Sequence, residues 1–323
     1  AMARSGSELP SCLERLCAWL PAPGARDDGG GATSPREART GMVSGQQRGE
    51  EAWRRLRLYG ARLRVAVAAL MLCSYLSFVA LCWGPRLQAG EAAAVAVVAL
   101  FHVPVAGMVG AFYLTVSTDP GRVPRGFQQP GKRHCAVCHA QKPDRCHHCS
   151  VCGRCVLNMD HHCLYLNACI GFQNRKFFCQ LLFHGLCCTL FVAVFSVPEL
   201  VRRLAEVGDA EASRGLAFWC STAAVFTSWA VLAALAYPLG MFTLYHFRAV
   251  VRNSTTIEDM QHGEQHQSPY DTGWGQNLMQ VFGAQLLLWL LPVRCQWLEP
   301  LGDGVTWRKN TGQVRPTAPS SQP

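Results

Sequence analysis

Residues 135–176 read CAVCHAQKPDRCHHCSVCGRCVLNMDHHCLYLNACIGFQNRK, and they hold eight of the chain's 17 cysteines and five of its 11 histidines. Such a density has two common origins, a disulfide framework and a metal site. Short Cys-x-x-Cys spacings recur within it, at Cys135/Cys138, Cys149/Cys152 and Cys152/Cys155. These spacings, interleaved with histidine, favour zinc, because one tight turn lets two thiolates reach the same tetrahedral ion. The stretch therefore predicts a small module folded around metal.

Counting the ligands leaves two thiols over. Two closed tetrahedral sites, each of three cysteines and one histidine, would use six of the eight cysteines and leave Cys146 and Cys163. Cys163 ends the sequence Asp-His-His-Cys that starts at Asp160. A thiol near a histidine that is itself held by a carboxylate is a common arrangement for generating a nucleophilic thiolate. The alternative, that Cys163 belongs to a third or partial set of zinc ligands, stays open on spacing alone.

The same residues resemble the DHHC-type protein S-acyltransferases, or palmitoyltransferases. The motif Asp160-His161-His162-Cys163 and the cysteine spacing before it carry the resemblance, which covers residues 60–307. Further motifs typical of the family are Asp119-Pro120-Gly121, Thr255-Thr256-Ile257-Glu258 and the Asn-containing segment Asn277–Gly283. The resemblance implies a membrane enzyme that moves a long-chain acyl group from acyl-CoA, such as palmitoyl-CoA, to membrane-proximal cysteines of substrate proteins through a Cys163 thioester.

The resemblance also implies roles for individual residues. Two structural Zn²⁺ ions would be held in an interleaved arrangement with no open coordination position. Their ligands would be Cys135, Cys138, His148 and Cys155 for one ion, and Cys149, Cys152, His162 and Cys169 for the other. This arrangement leaves His161 free as the base for Cys163, with Asp160 orienting its ring.

The composition is that of a membrane protein. Half of the 323 residues are hydrophobic and only 16% are charged, against roughly 25% in ordinary globular proteins. Several apolar runs exceed the roughly 18 residues needed to cross a bilayer. The net charge of +9 could suit nucleic acid, but the basic residues cluster beside the apolar runs and in the Cys-rich segment. That placement indicates membrane topology and no nucleic-acid partner.

Four spans are predicted, and Pro238 is expected to kink the last of them. They cover approximately 65–83, 92–116, 177–201 and 216–245. We therefore predict an all-α multi-pass membrane protein of four transmembrane helices, with a cytosolic zinc-folded Cys-rich module between the second and third.

Charge asymmetry predicts the orientation. Five arginines precede the first span, and residues 117–176 hold nine lysines or arginines. Basic segments stay in the cytosol, which places the Cys-rich module and both termini there. A zinc cluster with a working thiol also needs a reducing compartment, which gives the same orientation independently. The family resemblance implies an endomembrane location, in the Golgi or endoplasmic reticulum.

The chain divides into five expected segments. These are a disordered tail (1–53), the first span pair (54–116), the Cys-rich module (117–176), the second span pair (177–247) and a cytosolic C-terminal region (248–323). Within the tail, Leu9–Leu20 could be an amphipathic fragment with Cys12 and Cys17 as acylation sites, although an unstructured tail is the favoured interpretation.

Substrate contacts are harder to assign. Arg133, Lys142 and His147 lie close in sequence to the zinc ligands and could bind CoA phosphates, or they could be solvated positive-inside charges. Small residues of the third span, Gly185, Cys187 and Cys188, could line an acyl cavity or simply allow close helix packing. The apolar stretch Leu286–Val293 is too short to cross a bilayer, so we expect it to dock against the membrane or the Cys-rich module.

Three motifs are expected to support the site. The Thr-Thr-x-Glu sequence can cap a helix, Asn277 can satisfy buried backbone groups, and Asp119 can brace a loop. After the nucleophile this chain has Leu164-Tyr165, where most members of the family have Pro-Trp. Tyr165 can keep an interfacial aromatic there, but Leu164 lacks proline's restricted φ, so the departure bears on catalytic rate more than on fold.

Two other functions agree with part of this sequence. A zinc-folded membrane scaffold without turnover would suit Leu164 but not the intact Asp-His-His-Cys motif. A membrane-anchored zinc module of ubiquitin-ligase type would need neither an Asp-His pair beside a spare cysteine nor the later Thr-Thr-x-Glu sequence. The acyltransferase hypothesis is favoured over both.

Overall fold

The computed structural model describes residues 35–208, 215–263, 266–295 and 298–310. The internal contacts divide the chain into residues 1–50 and 51–323, and apart from the start of the first helix the fold and site described below belong to the second unit. The predicted fragment Leu9–Leu20, with Cys12 and Cys17, lies outside the described residues, as does the tail beyond residue 310.

Helices make up most of the described chain. They are α1 (Pro35–Leu76, continued by a π-helix at Ser77–Cys82), α2 (Gly84–Gln88), α3 (Ala92–Ser117), α4 (Arg175–Phe195), α5 (Val197–Gly208), α6 (Leu216–Val251), α7 (Thr256–His262), α8 (Trp274–Phe282) and a 3₁₀ turn at Leu286–Leu288. Four stretches within the described residues are long and apolar enough to cross a membrane: Gly49–Cys82, Ala92–Ser117, Arg175–Phe195 and Leu216–Val251. The four predicted spans are confirmed.

Two helix boundaries differ from the sequence-based expectation. Helix α1 begins at Pro35, which lies within the segment predicted as an N-terminal tail. The third span ends at Phe195, and Val197–Gly208 is a separate helix. Pro198 explains this break, because it lacks a backbone N–H and disfavours helical geometry in the residue before it.

The Cys-rich module is built from three short β-hairpins within this mostly helical chain. Its strands are β1 (His134–Cys135), β2 (Ala140–Gln141), β3 (His147–Cys149), β4 (Arg154–Val156), β5 (His161–Cys163) and β6 (Ala168–Ile170). They pair as β1–β2, β3–β4 and β5–β6, all antiparallel. Strands this short bury little apolar surface, so the module needs another source of stability.

Helix α4 is the centre of the membrane bundle. It packs against both α3 and α6, and half of its most apolar window is buried. Gly107 of α3 allows the close approach, because a Cβ there would lie 2.5 Å from the ring of His184. At the end away from the Cys-rich module, an aromatic cluster that includes Phe78, Phe101 and Phe191 fills the space between helices.

The Leu286–Val293 segment docks on α4. The Gln180 amide donates to the carbonyls of Trp289 (2.7 Å) and Leu291 (2.9 Å). His184 Nε2 lies 2.8 Å from the carbonyl of Leu290. These bonds satisfy backbone groups of an irregular segment at the edge of the bundle, which is where such backbone is tolerated in a membrane protein.

Candidate active site and metal centres

The first hairpin pair brings together one set of predicted metal ligands. Cys135, Cys138, His148 and Cys155 have ligand atoms that all lie within 4.8 Å of one another. The register of β3 and β4 places His148 directly opposite Cys155. The backbone N–H of Cys138 also donates to the Cys135 sulfur at 3.4 Å, which fixes the turn between the two thiols.

The second set is built in the same way. Cys149, Cys152, His162 and Cys169 also have ligand atoms within 4.8 Å of one another. Here β5 and β6 place His162 opposite Cys169, and the N–H of Cys152 donates to the Cys149 sulfur at 3.3 Å. The two sets interleave along the chain, because β3 contributes His148 to the first and Cys149 to the second.

Both sets fit a tetrahedral ion. His162 Nδ1 lies 3.6, 3.4 and 3.5 Å from the sulfurs of Cys149, Cys152 and Cys169. In the first set, His148 Nδ1 lies 3.2 Å from the Cys138 sulfur and 3.7 Å from that of Cys135. Metal–ligand distances of about 2.0–2.3 Å give tetrahedral edges of roughly 3.3–3.8 Å, so each group can hold one metal ion.

Strand β5 separates the two histidines of the Asp-His-His-Cys motif. Successive side chains of a strand point to opposite faces, so His161 and Cys163 share one face and His162 takes the other. His162 thus points to the metal group while His161 lies beside the spare thiol. Cys163 is buried in an apolar cluster with Leu166, Ile170, Phe178 and Leu182.

Asp160 is held on several sides. It is fully buried, and its Oδ2 lies 2.7 Å from His161 Nδ1. Thr256 donates its backbone N–H to Oδ1 (3.1 Å) and its hydroxyl to Oδ2 (2.8 Å). The Arg175 guanidinium lies 3.3 Å from Oδ1. The bond to Nδ1 fixes the orientation of the His161 ring and leaves Nε2 for the thiol.

The electrostatics follow from these contacts. Burial alone would raise the pKa of Asp160, but Arg175, and after it His161, hold that pKa well below its usual range. Burial alone would lower the pKa of His161, whereas its interactions with Asp160 and then Cys163 raise it to about 9. Both shifts favour a carboxylate beside an imidazolium, the pairing that stabilises a neighbouring thiolate.

Helix α7 connects the C-terminal region to the motif. Thr255 caps it, accepting from the backbone N–H of Glu258 while the Glu258 side chain accepts from the backbone N–H of Thr255. This capping box confirms that the Thr-Thr-x-Glu sequence begins a helix. It also presents Thr256 to Asp160, 96 positions earlier in the chain.

A buried arginine ties the Cys-rich module to this helix. Arg145 makes two bonds to the Glu258 carboxylate, at 2.7 and 2.8 Å, and its guanidinium also donates to the side chain and carbonyl of Asn253. The rings of Tyr270 and Trp307 also pack against it, with their centroids 4.5 and 4.4 Å from the guanidinium carbon. The buried cation is therefore held by charge-assisted bonds and by ring contacts together.

The Arg145→Met variant should be strongly destabilised, because it leaves the Glu258 carboxylate without its partner. A loss of about 3–5 kcal/mol is typical when one partner of a buried ion pair is removed. Arg122→Met is the matched control, since Arg122 pairs with Asp119 at the surface and such pairs contribute about 0–1 kcal/mol. Thermal unfolding of both variants in one detergent checks this, and equal unfolding temperatures would contradict it.

The other two supporting motifs also make the expected kind of contact. Asn277 is buried, donates to the carbonyl of Val251 at 2.7 Å and accepts from the backbone N–H of Thr272 at 3.1 Å. Asp119 accepts from the backbone N–H of Gly121 at 3.0 Å and pairs with Arg154, which belongs to β4. These contacts hold loops at the edge of the module in place.

A cleft of about 190 Å³ brings two of the three predicted CoA-contacting residues together. Arg133 and His147 line it with His262, His266 and Tyr270, whereas Lys142 is not among its lining residues. Burial and then Arg133 lower the pKa of His147 to about 4, so it is neutral at pH 7. A neutral imidazole can still donate a hydrogen bond to a phosphate.

A second, apolar groove lies near Cys163. It has a volume of about 270 Å³ between the first and second spans, and its lining includes Val65, Phe112 and Val116. Phe112 and Val116 also pack against the cluster around Cys163. Gly185 and Cys188 are not among the residues that line this groove. Gly185 faces Leu239 of α6, which packs against the Cys163 cluster, and Cys188 packs in the aromatic cluster at the far end of the bundle.

Some residues around the motif were missed from sequence. Arg175 and His246 of α6 are buried beside Asp160, and His246 also lies against the His161 ring, but the sequence indicates neither as a site residue. A cation immediately before an apolar span was the one available signal for Arg175.

Two departures from the family pattern have different surroundings. Tyr165 is exposed, whereas Cys146 is fully buried among the first set of metal ligands, where burial raises the pKa of its thiol to about 11.

The fold and the Asp160–Cys163 arrangement are those of a membrane-embedded thiol enzyme. A family model described as DHHC palmitoyltransferase matches residues 128–263. Probable protein S-acyltransferase 13 of Arabidopsis thaliana is 33% identical over 268 residues, covering 74% of this chain and 86% of that protein. Palmitoyltransferase ZDHHC2 of Mus musculus is 35% identical over 195 residues, covering 58% of this chain and 50% of that protein. The chain belongs to the DHHC palmitoyltransferase family.

Proposed function

We propose that this protein is a protein S-acyltransferase that moves a long-chain acyl group from acyl-CoA to cysteine thiols of substrate proteins. The observation that carries this assignment is the geometry of β5, which puts His161 and Cys163 on one face beside the buried Asp160. A thiol, a base and a residue that orients the base are the components of covalent acyl transfer. Family membership supports the same activity.

The reaction has two balanced steps. In the first, His161 takes up the Cys163 proton to form an imidazolium–thiolate pair, and the thiolate sulfur attacks the thioester carbonyl. The carbon–sulfur bond to CoA breaks, and the proton passes from His161 to the CoA sulfur. In the second, a substrate thiol loses its proton to His161 and its sulfur attacks the acyl carbon. The bond from that carbon to the Cys163 sulfur breaks, and the Cys163 thiolate and the His161 imidazolium form the starting pair again. Asp160 holds the His161 ring in one orientation and stabilises its positive charge in both steps.

The two metal groups are proposed to hold structural zinc. All six thiols and both histidines are ligand types that zinc prefers, and four protein ligands leave no position for substrate. Bound zinc would supply cross-links that short hairpins need to stay folded. Because His162 belongs to β5, the second ion would also fix the strand that carries His161 and Cys163.

Acyl-CoA is the proposed donor, with its two ends in different environments. The cleft beside Arg133 can take CoA phosphates, and the apolar groove at Phe112 and Val116 can take the acyl chain. Glu258 links the cleft to the catalytic motif, since it lines the cleft and caps the helix that holds Asp160. Lys142 is proposed as a further cationic contact at the rim.

Replacing Arg133 should weaken acyl-CoA binding more than it slows chemistry. Arg133→Gln removes a charge that can bind phosphate, and a charge-assisted bond of about 1.5–3 kcal/mol corresponds to a rise in KM of roughly 10- to 100-fold. The control is Arg125→Gln, which removes an exposed charge outside the cleft lining. Rates of acyl-enzyme formation against palmitoyl-CoA concentration check this; a lowered kcat with unchanged KM would contradict it.

Intact mass of the purified full chain, measured after incubation with palmitoyl-CoA, tests the proposed activity. The expected product carries one palmitoyl group that neutral hydroxylamine removes, because a thioester is cleaved under conditions that spare an amide. Transfer of that group to a peptide bearing a free cysteine should follow when the peptide is added. A full metal complement without any adduct would favour the inactive scaffold instead.

The topology is also proposed. With four spans, the Cys-rich module, the N-terminal flank and the C-terminal region lie on one side of the membrane, and the basic residues place that side in the cytosol. We propose an endomembrane location, in the Golgi or endoplasmic reticulum, and the segment boundaries at residues 53, 116, 176 and 247. Protease protection in sealed vesicles tests the orientation, and imaging of the full chain tests the compartment.

A further inference from the structure

Helix α5 sorts its side chains into three arcs. One arc is buried and holds Glu199, Leu200 and Arg203. A second is polar, with Arg202 paired to both Glu199 and Glu206. The third is apolar and faces outward. It consists of Val197, Val201 and Leu204, which are 44%, 60% and 58% exposed and spaced to share one helix face.

The buried arc fixes the orientation of α5. Arg203 binds Glu199 at 2.6 Å and donates to the hydroxyls of Ser221 and Thr222 at 3.0 Å. The same guanidinium donates to the carbonyl of Leu81, also at 3.0 Å. The helix is thus tied to the end of the first span and the start of the fourth. Because these bonds hold it, the apolar arc cannot turn inward to be buried.

The position of α5 indicates what covers the apolar arc. Only Ser196 separates it from the third span, so it lies at the end of the bundle opposite the Cys-rich module. At the same end, Leu216 and Trp219 of the fourth span are 79% and 46% exposed. Tryptophan favours the membrane–water boundary, so these residues mark where the bilayer surface lies.

We infer that α5 is an interfacial helix that lies in the bilayer surface at this end, with its apolar arc among lipid chains. An amphipathic helix with charges on one arc and aliphatic side chains on another binds this boundary. The hydrogen bond from Arg203 to the Leu81 carbonyl connects α5 to the π-helix at the end of the first span. The partner is lipid, because the adjoining third span also exposes aliphatic side chains at this end, with Leu190 49% and Val194 62% exposed.

Site-specific fluorescence in the full chain tests this inference. An environment-sensitive fluorescent amino acid replaces Val201 in one variant and Glu206 in a matched variant on the polar arc. Both are placed in phosphatidylcholine nanodiscs with or without brominated acyl chains. Brominated lipid should quench the probe at position 201 at least several-fold more than the probe at 206, and aqueous iodide should do the reverse.

Each other result would overturn the inference. Iodide quenching at position 201 equal to that at 206 would show that the arc faces water. Quenching by neither agent would show that protein covers it, as in a contact with a second copy. Should the fluorescent residue at 201 prevent folding, the same probe at Leu204 on the same arc provides a second measurement, and equal quenching at 204 and 206 by both agents would overturn the inference.

A different observation carries a second proposal, which rests on the proposed function. Arg175, the first residue of α4, is buried and bridges two parts of the site. One amino group of its guanidinium lies 3.3 Å from Asp160 Oδ1 and 2.6 Å from the carbonyl of Ser254. Ser254 immediately precedes the capping Thr255, whose neighbour Thr256 binds the same carboxylate.

We propose that Arg175 is a positioning residue for the reaction. It touches no reacting atom, but it holds Asp160 between the membrane bundle and the start of α7. Without it, Asp160 keeps Thr256 and His161 as partners, but Oδ1 keeps only the Thr256 N–H and loses the buried cation beside it. The His161 ring would then sample orientations in which Nε2 does not face Cys163, and acyl transfer would slow.

The test compares Arg175→Gln, Arg175→Lys and the neighbouring control Lys176→Met, which removes a cation of the same helix turn that is not paired with Asp160. Acyl-enzyme formation is followed by intact mass over a range of palmitoyl-CoA concentrations, with zinc measured in each sample. Arg175→Gln should lower kcat by roughly 10- to 100-fold with KM little changed and zinc retained. Lysine should restore part of the rate, and Lys176→Met should match the natural protein.

The outcomes separate this proposal from the proposed function. If the natural protein forms no acyl-enzyme, the function fails; if it does and Arg175→Gln has the same kcat, only the positioning role fails. Equal losses in the Gln and Lys variants, or a loss of zinc in step with rate, would show a merely structural role. Should Arg175→Gln not fold, an unchanged kcat in Arg175→Lys would overturn the proposal.

Discussion

The Cys163→Ser variant is expected to take up no palmitoyl group while it keeps both metal ions. A serine hydroxyl is far less acidic than a thiol, so His161 and Asp160 cannot convert it into a comparable nucleophile. We expect acyl-enzyme formation to fall at least about 1,000-fold, the scale seen when a nucleophile is removed from a catalytic unit. The side chain is nearly isosteric and lies outside both metal groups, so folding should be preserved.

The measurement is intact mass after incubation with palmitoyl-CoA, together with zinc analysis of the same sample. Cys220→Ser is the matched control, because Cys220 is an exposed thiol at the opposite end of the bundle. It should acylate like the natural protein, which shows that removing a thiol is not itself harmful. Loss of one metal ion in Cys163→Ser would instead make Cys163 a ligand, the alternative that its spacing alone leaves open.

Features formed by residues close together in the chain could be predicted from the sequence. The Cys-x-x-Cys spacings predicted metal groups because ligands that share an ion must lie a turn apart. The ligand sets implied by the family resemblance coincide with the two groups that the hairpins assemble. Apolar runs predicted all four spans because a helix that crosses a bilayer has to be apolar over its length.

Contacts between segments far apart in the chain could not be predicted from the sequence. Nothing in the residues near Thr256 shows that its hydroxyl reaches Asp160, because that contact depends on how the fourth span returns the chain to the module. The same is true of Arg145 with Glu258 and of Arg175 with Asp160. His147 shows a further limit, since its place in sequence beside the zinc ligands suggested a cation, whereas its burial in the fold lowers its pKa to about 4. Burial is a property of the fold, and sequence distance does not report it.

Replacing the two adjacent histidines of the motif should give opposite results. His161→Ala should keep both metal ions and lose acyl-enzyme formation by about 100- to 10,000-fold, the usual contribution of a general base. His162→Ala should lose one metal ion and unfold at a lower temperature, because structural zinc contributes strongly to the stability of small modules. Zinc analysis, thermal unfolding and intact mass on the same three proteins check both expectations.

The alternation of β5 makes this prediction specific. His161 binds Asp160 on one face of the strand, and His162 lies 3.4–3.6 Å from three cysteine sulfurs on the other. A one-residue slip of the strand would exchange the two roles, so equal zinc loss in both variants would contradict the register itself. His139→Ala is the control, since His139 lies in the same module outside both metal groups and should affect neither zinc nor acylation. Activity would then depend on His162 only through the metal ion that fixes the strand, and on His161 directly.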